Sequence, residues 1–365
     1  MNSKKILFDR KNSPAFIRTL NKRVNNYFKK NNITKNGNWE LWVKTFIMFS
    51  LLITPYVLIS VFTMPGWIQI LLSIIMGIGL AGVGMNVMHD GIHESFSNKK
   101  WVNRLMGSSI YLLAGNKYNW QVQHNVLHHT YTNIHGHDED LEAGRIIRFS
   151  KHSRWRWYHK FQHYYSILLY GLLTINWATI VDFLQMKRYM KRKLSQGKFP
   201  NPFVNWTKLL ISKILYFLFW IIIPILIFKI VWWKVLISFI VMHYTAGVIL
   251  SLVFQLAHIM DEADMPVPDS KGNIKNTWAI HQLKTTVNFA CNNKLVNWFT
   301  GGLNHQIEHH IFPNISHIHY SKIAKIVKKT AKEFNLPYNE FKTTKDAIIA
   351  HFKYLRFMGI KPAIR

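Results

Sequence analysis

Between Lys44 and Asp90 the chain carries not one Asp, Glu, Lys or Arg. A helix needs ~20 apolar residues to cross a bilayer, and the run from Thr45 to Met88 is about twice that. Met64-Pro65-Gly66 interrupts it near the middle, and Pro-Gly is a turn signal. The run therefore reads as two spans, about 45–63 and 67–88, joined by a very short hairpin. A second apolar region, about 209–258, is broken by Lys229, Trp232, Trp233 and Lys234, which read as an interfacial turn with aromatic anchors. That adds spans near 209–228 and 235–258 and makes the expected fold an all-α membrane protein with four transmembrane helices.

A fifth apolar stretch, Tyr164 to Val181, has the length to cross. If it crossed, however, the histidine clusters before and after it would fall on opposite membrane faces. It is also rich in Tyr, Trp and Asn, so an interfacial or re-entrant helix is the expected form. Charge sets the orientation. Residues 1–36 carry Lys4, Lys5, Arg10, Lys11, Arg18, Lys22, Arg23, Lys29, Lys30 and Lys35 against Asp9 alone. The stretch 89–206 and the tail after 311 are also basic, so both termini and the large loop are expected on the cytoplasmic side. The net charge of +29 would suggest nucleic acid in a soluble chain; the uncharged run removes that reading. The first 40 residues lack the apolar core of a signal peptide, and the single cysteine, Cys291, excludes a disulfide framework or a Cys-rich zinc module. The expected division is a basic segment over 1–41, a membrane domain over 42–320 with a loop over 89–206, and a basic tail over 321–365.

Gly77, Gly79 and Gly82 match GxGxxG, but they lie inside a span with no preceding strand, so they read as helix-packing positions. No P-loop, GxSxG or HExxH motif occurs.

Nineteen histidines are the second anomaly, and they cluster. His89-Asp-Gly-Ile-His93 stands where the second span ends, its spacing placing both imidazoles on one helical face. His124-Asn-Val-Leu-His128-His129 follows, and His305-Gln-Ile-Glu-His309-His310 repeats its HxxxHH pattern. Eight imidazoles are too many for one tetrahedral zinc, and two six-coordinate metals sharing them is the economical count. No bridging run of Glu places the site among the ExxH carboxylate bundles. A histidine-rich di-iron centre at a membrane surface implies O2 activation and attack on an unactivated C–H bond of a lipid-soluble substrate.

On these residues the chain resembles the integral-membrane fatty acid desaturases with three histidine boxes, over about residues 40–320. Gln306-Ile-Glu-His309-His310, with Gly301-Gly302-Leu303-Asn304 before it, is similar to the QxxHH form of front-end, linoleoyl-CoA-type (Δ6-like) enzymes. His124-Asn125, Tyr131 and Asn133 support the match. The resemblance implies a four-span fold whose cytoplasmic helical cap holds two iron ions, with O2 as co-substrate and electrons from an external reduced carrier. It implies as ligands His89, His93, His124, His128, His129, His258, His309 and His310, with His305 or a weak or water-mediated Gln306 at the remaining place. The implied activity is formation of a cis double bond in an acyl-CoA or acyl-lipid, at a front-end position. No HPGG haem motif occurs, so ferredoxin or cytochrome b5 is expected as a separate donor. The Lys/Asn/Ile-rich composition points to a low-GC genome, and a bacterial cell membrane is the expected location.

Asp90, Glu94 and Glu308 abut ligand histidines and could fix their tautomers. His135 and His137 read as part of a polar loop with Asp138 and Asp140. His152, His159, His163, His243, His281, His317, His319 and His351 lack the paired pattern and read mostly as structural or surface residues. Trp120 and Gln121 fit either the wall of an acyl tunnel or an interfacial position. Two other functions compete. A related di-iron hydroxylase or ketolase of alkanes, sterols or carotenoids would use the same oxidant, but the QxxHH box favours acyl desaturation. A metal transporter or sensor would place histidines along a path through the spans, not on one face.

Overall fold

The computed structural model describes residues 6–9, 14–141, 144–195 and 201–362. The cations Lys4, Lys5, Arg10 and Lys11, part of the orientation argument, lie outside them.

Four helices are long and apolar enough to cross a membrane: Trp39–Val61, Gly66–Ile92, Pro202–Leu226 and Trp232–His258. They are the four expected spans, with ends set by local chemistry. The first starts at Trp39, not near 45, because the Asn38 side chain accepts the Glu40 N–H at 2.9 Å and caps it. The second outlasts its apolar run, continuing through a π-helical turn, Gly84–Met88, into His89–Ile92. The third starts at Pro202, whose fixed φ suits the first helical position, with Asn201 accepting the Val204 N–H at 3.2 Å. The fourth starts at Trp232, so Trp233 and Lys234 occupy its first turn, not the preceding loop.

The chain forms two compact units. The spanning unit, Asn38–Val126 with Ile167–Leu252, holds the first three spans and most of the fourth. Gly77, Gly79 and Gly82 serve close packing, as expected. A Cβ on Gly77 would lie 2.5 Å from the Met242 carbonyl oxygen, and one on Gly79 would lie 2.5 Å from the Leu52 amide nitrogen. Polar groups inside hydrocarbon need partners. Lys213 of the third span donates to Asp182 Oδ2 at 2.7 Å, to the Trp177 carbonyl at 2.5 Å and to the Ala114 carbonyl, while Asn119 Nδ2 donates to Asp182 Oδ1 at 3.0 Å. His243 is fully buried between Tyr216 and Thr174, which accounts for it structurally. The stretch 164–181 lies in a helix pair, Trp157–Tyr170 and Leu173–Arg192, bent by 67° at the break. That is a broken or re-entrant segment and not a fifth straight span.

The other unit comprises the described residues up to Gly37, Leu127–Ser166 and those from Val253 onward. The N-terminal basic segment contains a helix, Pro14–Lys30, whose Phe16, Leu20, Val24 and Phe28 recur every four residues. This apolar stripe packs on Ile323 and Val327 of the helix Tyr320–Glu333 and on Leu283 and Ile307. Two very short parallel strand pairs join Leu7–Phe8 to Asn273–Ile274 and Asn288–Phe289 to Glu340–Phe341. The second pair positions the third histidine box: Asn288 Oδ1 accepts the Ile307 N–H at 2.9 Å, and Phe289 N–H donates to the Asn304 carbonyl at 3.0 Å.

His351, on the helix Thr344–Gly359, is fully buried and donates from Nδ1 to the Ile259 carbonyl at 2.9 Å. Burial pushes its pKa down to about 4. The folded state thus keeps it neutral while the unfolded chain protonates near the ordinary histidine value of 6.5. Its contribution is complete above the unfolded value and is lost as pH falls from there through about 4, a loss on the order of 3 kcal/mol at most. Thermal unfolding in detergent is expected to shift to lower temperature across that window, and His351→Gln is expected to flatten part of the slope. An unchanged slope in the variant would remove His351 from the account.

Candidate metal centre

In the spanning unit the second helix, through its π turn, carries His89 and His93 out of the apolar stretch. π turns recur at functional sites because they re-aim side chains. The rings of His89 and His93 lie 4.6 Å apart, and His124 lies 5.4 Å from the first and 5.3 Å from the second. Trp120 stacks on His124 at 4.3 Å and meets His89 and His93 edge-on at 5.8 and 5.7 Å. Three imidazoles of the first two boxes thus share one pocket with an indole wall. Asp90 is buried, with Lys44 as an opposing charge. Glu94 is exposed, and its backbone carbonyl accepts from Asn103 Nδ2 at 3.3 Å.

In the other unit His128, His258 and His310 each offer a ligand nitrogen, all within 4.8 Å of one another. In every case Nδ1–H is committed: to Asp138 Oδ2 at 2.9 Å from His128, to Gln282 Oε1 at 2.9 Å from His310, and to the Thr285 carbonyl at 3.3 Å from His258. A metal would therefore take Nε2 from all three, with tautomers set by these acceptors. Among the described residues His258 Nε2 and Gln306 Oε1 are buried without a well-formed hydrogen bond, the Gln306 side chain facing that ring within hydrogen-bonding reach. Buried polar atoms are rarely left so, and a cation between imidazole nitrogens and an amide oxygen accounts for both. His129 adjoins, 4.6 Å from His309 and stacked on His310 at 4.5 Å, and His309 Nδ1 meets the Tyr320 hydroxyl at 3.2 Å.

Asp138 corrects the sequence reading that put it in a polar loop. It is buried, accepting from His128 and from the Asn133 amide at 2.9 Å each and from the Asp140 amide at 3.1 Å. Burial alone would raise its pKa; His128 and the Asn133 amide hold it below the usual carboxylate range. Sequence reasoning also missed Gln282, Thr285 and Tyr320, which come from segments far along the chain. The one signal for Asp138 was its closeness in sequence to the second box.

Among the described residues His305 joins no such group of ligand nitrogens. Its Nε2 meets Ser321 Oγ at 3.2 Å, and its Nδ1 lies 3.7 Å from Glu308 Oε2. Glu308 is fully buried, accepting from Asn288 Nδ2 at 2.8 Å and from the Tyr338 hydroxyl at 3.0 Å, so it anchors the box-three helix. His135 packs near His152 at 5.9 Å and His137 near Tyr131 at 5.8 Å, and neither joins a metal group among the described residues. His281, His159 and His319 bond the carbonyls of Thr132, Arg145 and Asn36, as structural histidines. Gln121 opens the π-helical segment Gln121–His128 that carries the second box.

Residues 65–342 match the fatty acid desaturase family. The chain is 36% identical to an sn-1 linoleoyl-lipid 6-desaturase of Arthrospira platensis, over 96% of this chain and 94% of that protein. It is 34% identical to an sn-1 linoleoyl-lipid 6-desaturase of Synechocystis sp., over 98% of this chain and 99% of that one. With an acyl-lipid (8-3)-desaturase of Physcomitrium patens the identity is 30%, over 94% of this chain and 72% of the relative. Four apolar helices, clustered buried imidazoles and a match over most of the length converge: the chain belongs to the fatty acid desaturase family and is a membrane oxidoreductase.

Proposed function

We propose that this desaturase introduces a cis double bond into the acyl chain of a membrane glycerolipid at a Δ6-type, front-end position, using two iron ions, O2 and electrons from reduced ferredoxin or cytochrome b5. We assign one iron to His89, His93 and His124 and the other to His128, His258 and His310, with His129, His309 and Gln306 completing the ligand shells. The carrying observation is the second trio: three buried imidazoles whose Nδ1–H groups are all committed and whose ligand nitrogens lie within 4.8 Å. The acyl-lipid substrate and the Δ6 position are supported by the activities for which the Arthrospira and Synechocystis relatives are named and by the QxxHH form of box three. The excess of cations in the large loop and termini supports a cytoplasmic site, and a bacterial cell membrane is the proposed location.

When bound, the irons supply O2 reduction coupled to C–H cleavage, in the balance –CH2–CH2– + O2 + 2e⁻ + 2H⁺ → –CH=CH– + 2H2O. The chain's own part is placement. Asp138, Gln282 and the Thr285 carbonyl keep three imidazoles in the tautomer that presents Nε2. Trp120 closes one side of the His89–His93–His124 pocket and keeps water from its imidazoles. Regiochemistry then follows from how far the acyl chain enters.

The test is expression in a host that makes no polyunsaturated acids, fed linoleate, followed by double-bond mapping of lipid classes. New Δ6 bonds in intact glycerolipids are expected. A double bond elsewhere would overturn the position, products confined to the CoA pool would overturn the acyl-lipid substrate, and hydroxylated products would favour the hydroxylase reading.

A further inference from the structure

A groove of about 670 Å³ lies in the spanning unit, apart from the histidines. One end gathers Arg104 of the helix Lys100–Gly107, Lys117, and Lys208 of the third span. Lys117 Nζ donates to the Arg104 carbonyl at 3.0 Å, which fixes it there. The other end is apolar, lined by Tyr111, Leu112, Ile211, Leu215, Phe219 and Trp220.

The cationic end asks for an anion. Partial burial, then Arg104, then Lys208 hold the Lys117 pKa below its ordinary value, against the opposing pull of Glu94. Glu94 offsets only part of the repulsion among these cations, and an anion bound between them would relieve the rest. The apolar end asks for a chain. From Lys208 to Trp220 the helix rises about 18 Å, a little over half of a ~30 Å hydrocarbon core. Within that stretch the other cation, Lys213, is buried on Asp182, so Lys208 is the exposed charge where the span meets the headgroup region. A charged head and a tail of one-leaflet length, at the edge of a membrane span, describe a lipid.

We propose that this groove binds one anionic glycerophospholipid, its phosphate held by Arg104, Lys117 and Lys208 and one acyl chain laid along Ile211, Leu215 and Phe219. Charge complementarity selects this occupant over a zwitterionic lipid or a second copy of the chain. Occupancy also reaches the first histidine box. Tyr111 and Trp120 both pack against the cluster of Met88, Ile92 and Ile110, and Trp120 stacks on His124. The site stands or falls independently of where the double bond is made.

The test uses the full chain, delipidated in neutral detergent and titrated with phosphatidylglycerol or phosphatidylcholine of the same acyl composition, with retained lipid read by native mass spectrometry. One phosphatidylglycerol per chain is expected at a concentration at least about tenfold below that for phosphatidylcholine. Arg104→Gln with Lys208→Gln, both exposed positions, is expected to abolish the preference, and Ser212→Trp, which fills the trough, to lower retention of both lipids. Unfolding temperatures near wild type qualify the variants, and Lys208→Glu serves where Arg104→Gln fails to fold. Equal retention of the two lipids, or a preference that survives the charge variants, overturns the proposal. So does complete displacement by millimolar inorganic phosphate, which would mark a simple anion site. A dimer that Ser212→Trp dissociates, with no lipid preference, would assign the groove to a second copy and also overturn it.

Discussion

His128→Ala is expected to insert normally, to lose much of its iron, and to lose desaturation by more than about 100-fold. The ring sits at the centre of its cluster, within 4.8–5.1 Å of His258, His310 and Phe254. Groups that only orient a ligand already cost about 10–100-fold in metal affinity or activity when removed, and the ligand itself should cost more. Folding should survive. Removing the imidazole leaves Asp138 accepting from the Asn133 and Asp140 amides, so no carboxylate is stranded in the interior. The measurements are iron per chain, turnover, and membrane extraction with size-exclusion behaviour. Full iron content and activity in a folded variant would sink the ligand assignment, and His310→Ala provides a second, independent removal from the same cluster.

The other large effect is expected from a residue that touches no metal in the proposed arrangement. Asp138→Asn should weaken iron retention about 10–100-fold while keeping the fold. The carboxylate accepts from His128 Nδ1 and stays ionised, which favours the tautomer presenting Nε2. An amide can turn its Nδ2 toward the ring, which then offers Nδ1 as acceptor and puts its proton on Nε2. The same residue takes the Asn133 N–H, and the Asn133 side chain donates to the His258 carbonyl at 3.0 Å and to the Asp264 carbonyl at 3.1 Å, so the carboxylate also braces the fourth span's end. Chelator-competition curves separate the two roles. A variant with wild-type iron retention but lowered stability would make Asp138 structural only. Asp138→Glu, which keeps the charge, should recover more iron than Asp138→Asn.

The sequence and the structure divide the explanation unevenly. Spans were legible because hydrocarbon tolerates no unpaired charge, so a run such as Thr45–Met88 announces itself residue by residue. The three boxes were legible because ligands carried on one helix recur at helical spacing, as His89 with His93 and His124 with His128 do. Even the discounting of the GxGxxG match followed from its position, and the tight approach of Gly77 and Gly79 to the Met242 and Leu52 backbones bears it out. The apolar stripe of Phe16, Leu20, Val24 and Phe28 was present in the sequence as well but obscured by the charges around it.

What the chain order conceals is everything held by residues distant from the boxes. His305 and Gln306 are neighbours with equal claim on paper. Folding turns His305 onto Ser321 and Glu308 and lays Gln306 against His258. Asp138 looks like loop polarity until the turn at Asn133, with its φ of 58°, brings it under His128. Gln282 reaches His310, and Arg104 joins Lys208, with no periodicity to reveal either pairing. Local sequence determined the spans and the ligand chemistry, because bilayer solubility and helical spacing act over a few turns. Tertiary structure decided which acceptors aim the imidazoles and where cations converge, because burial and hydrogen bonding join residues by distance in space, and chain order carries no record of that distance.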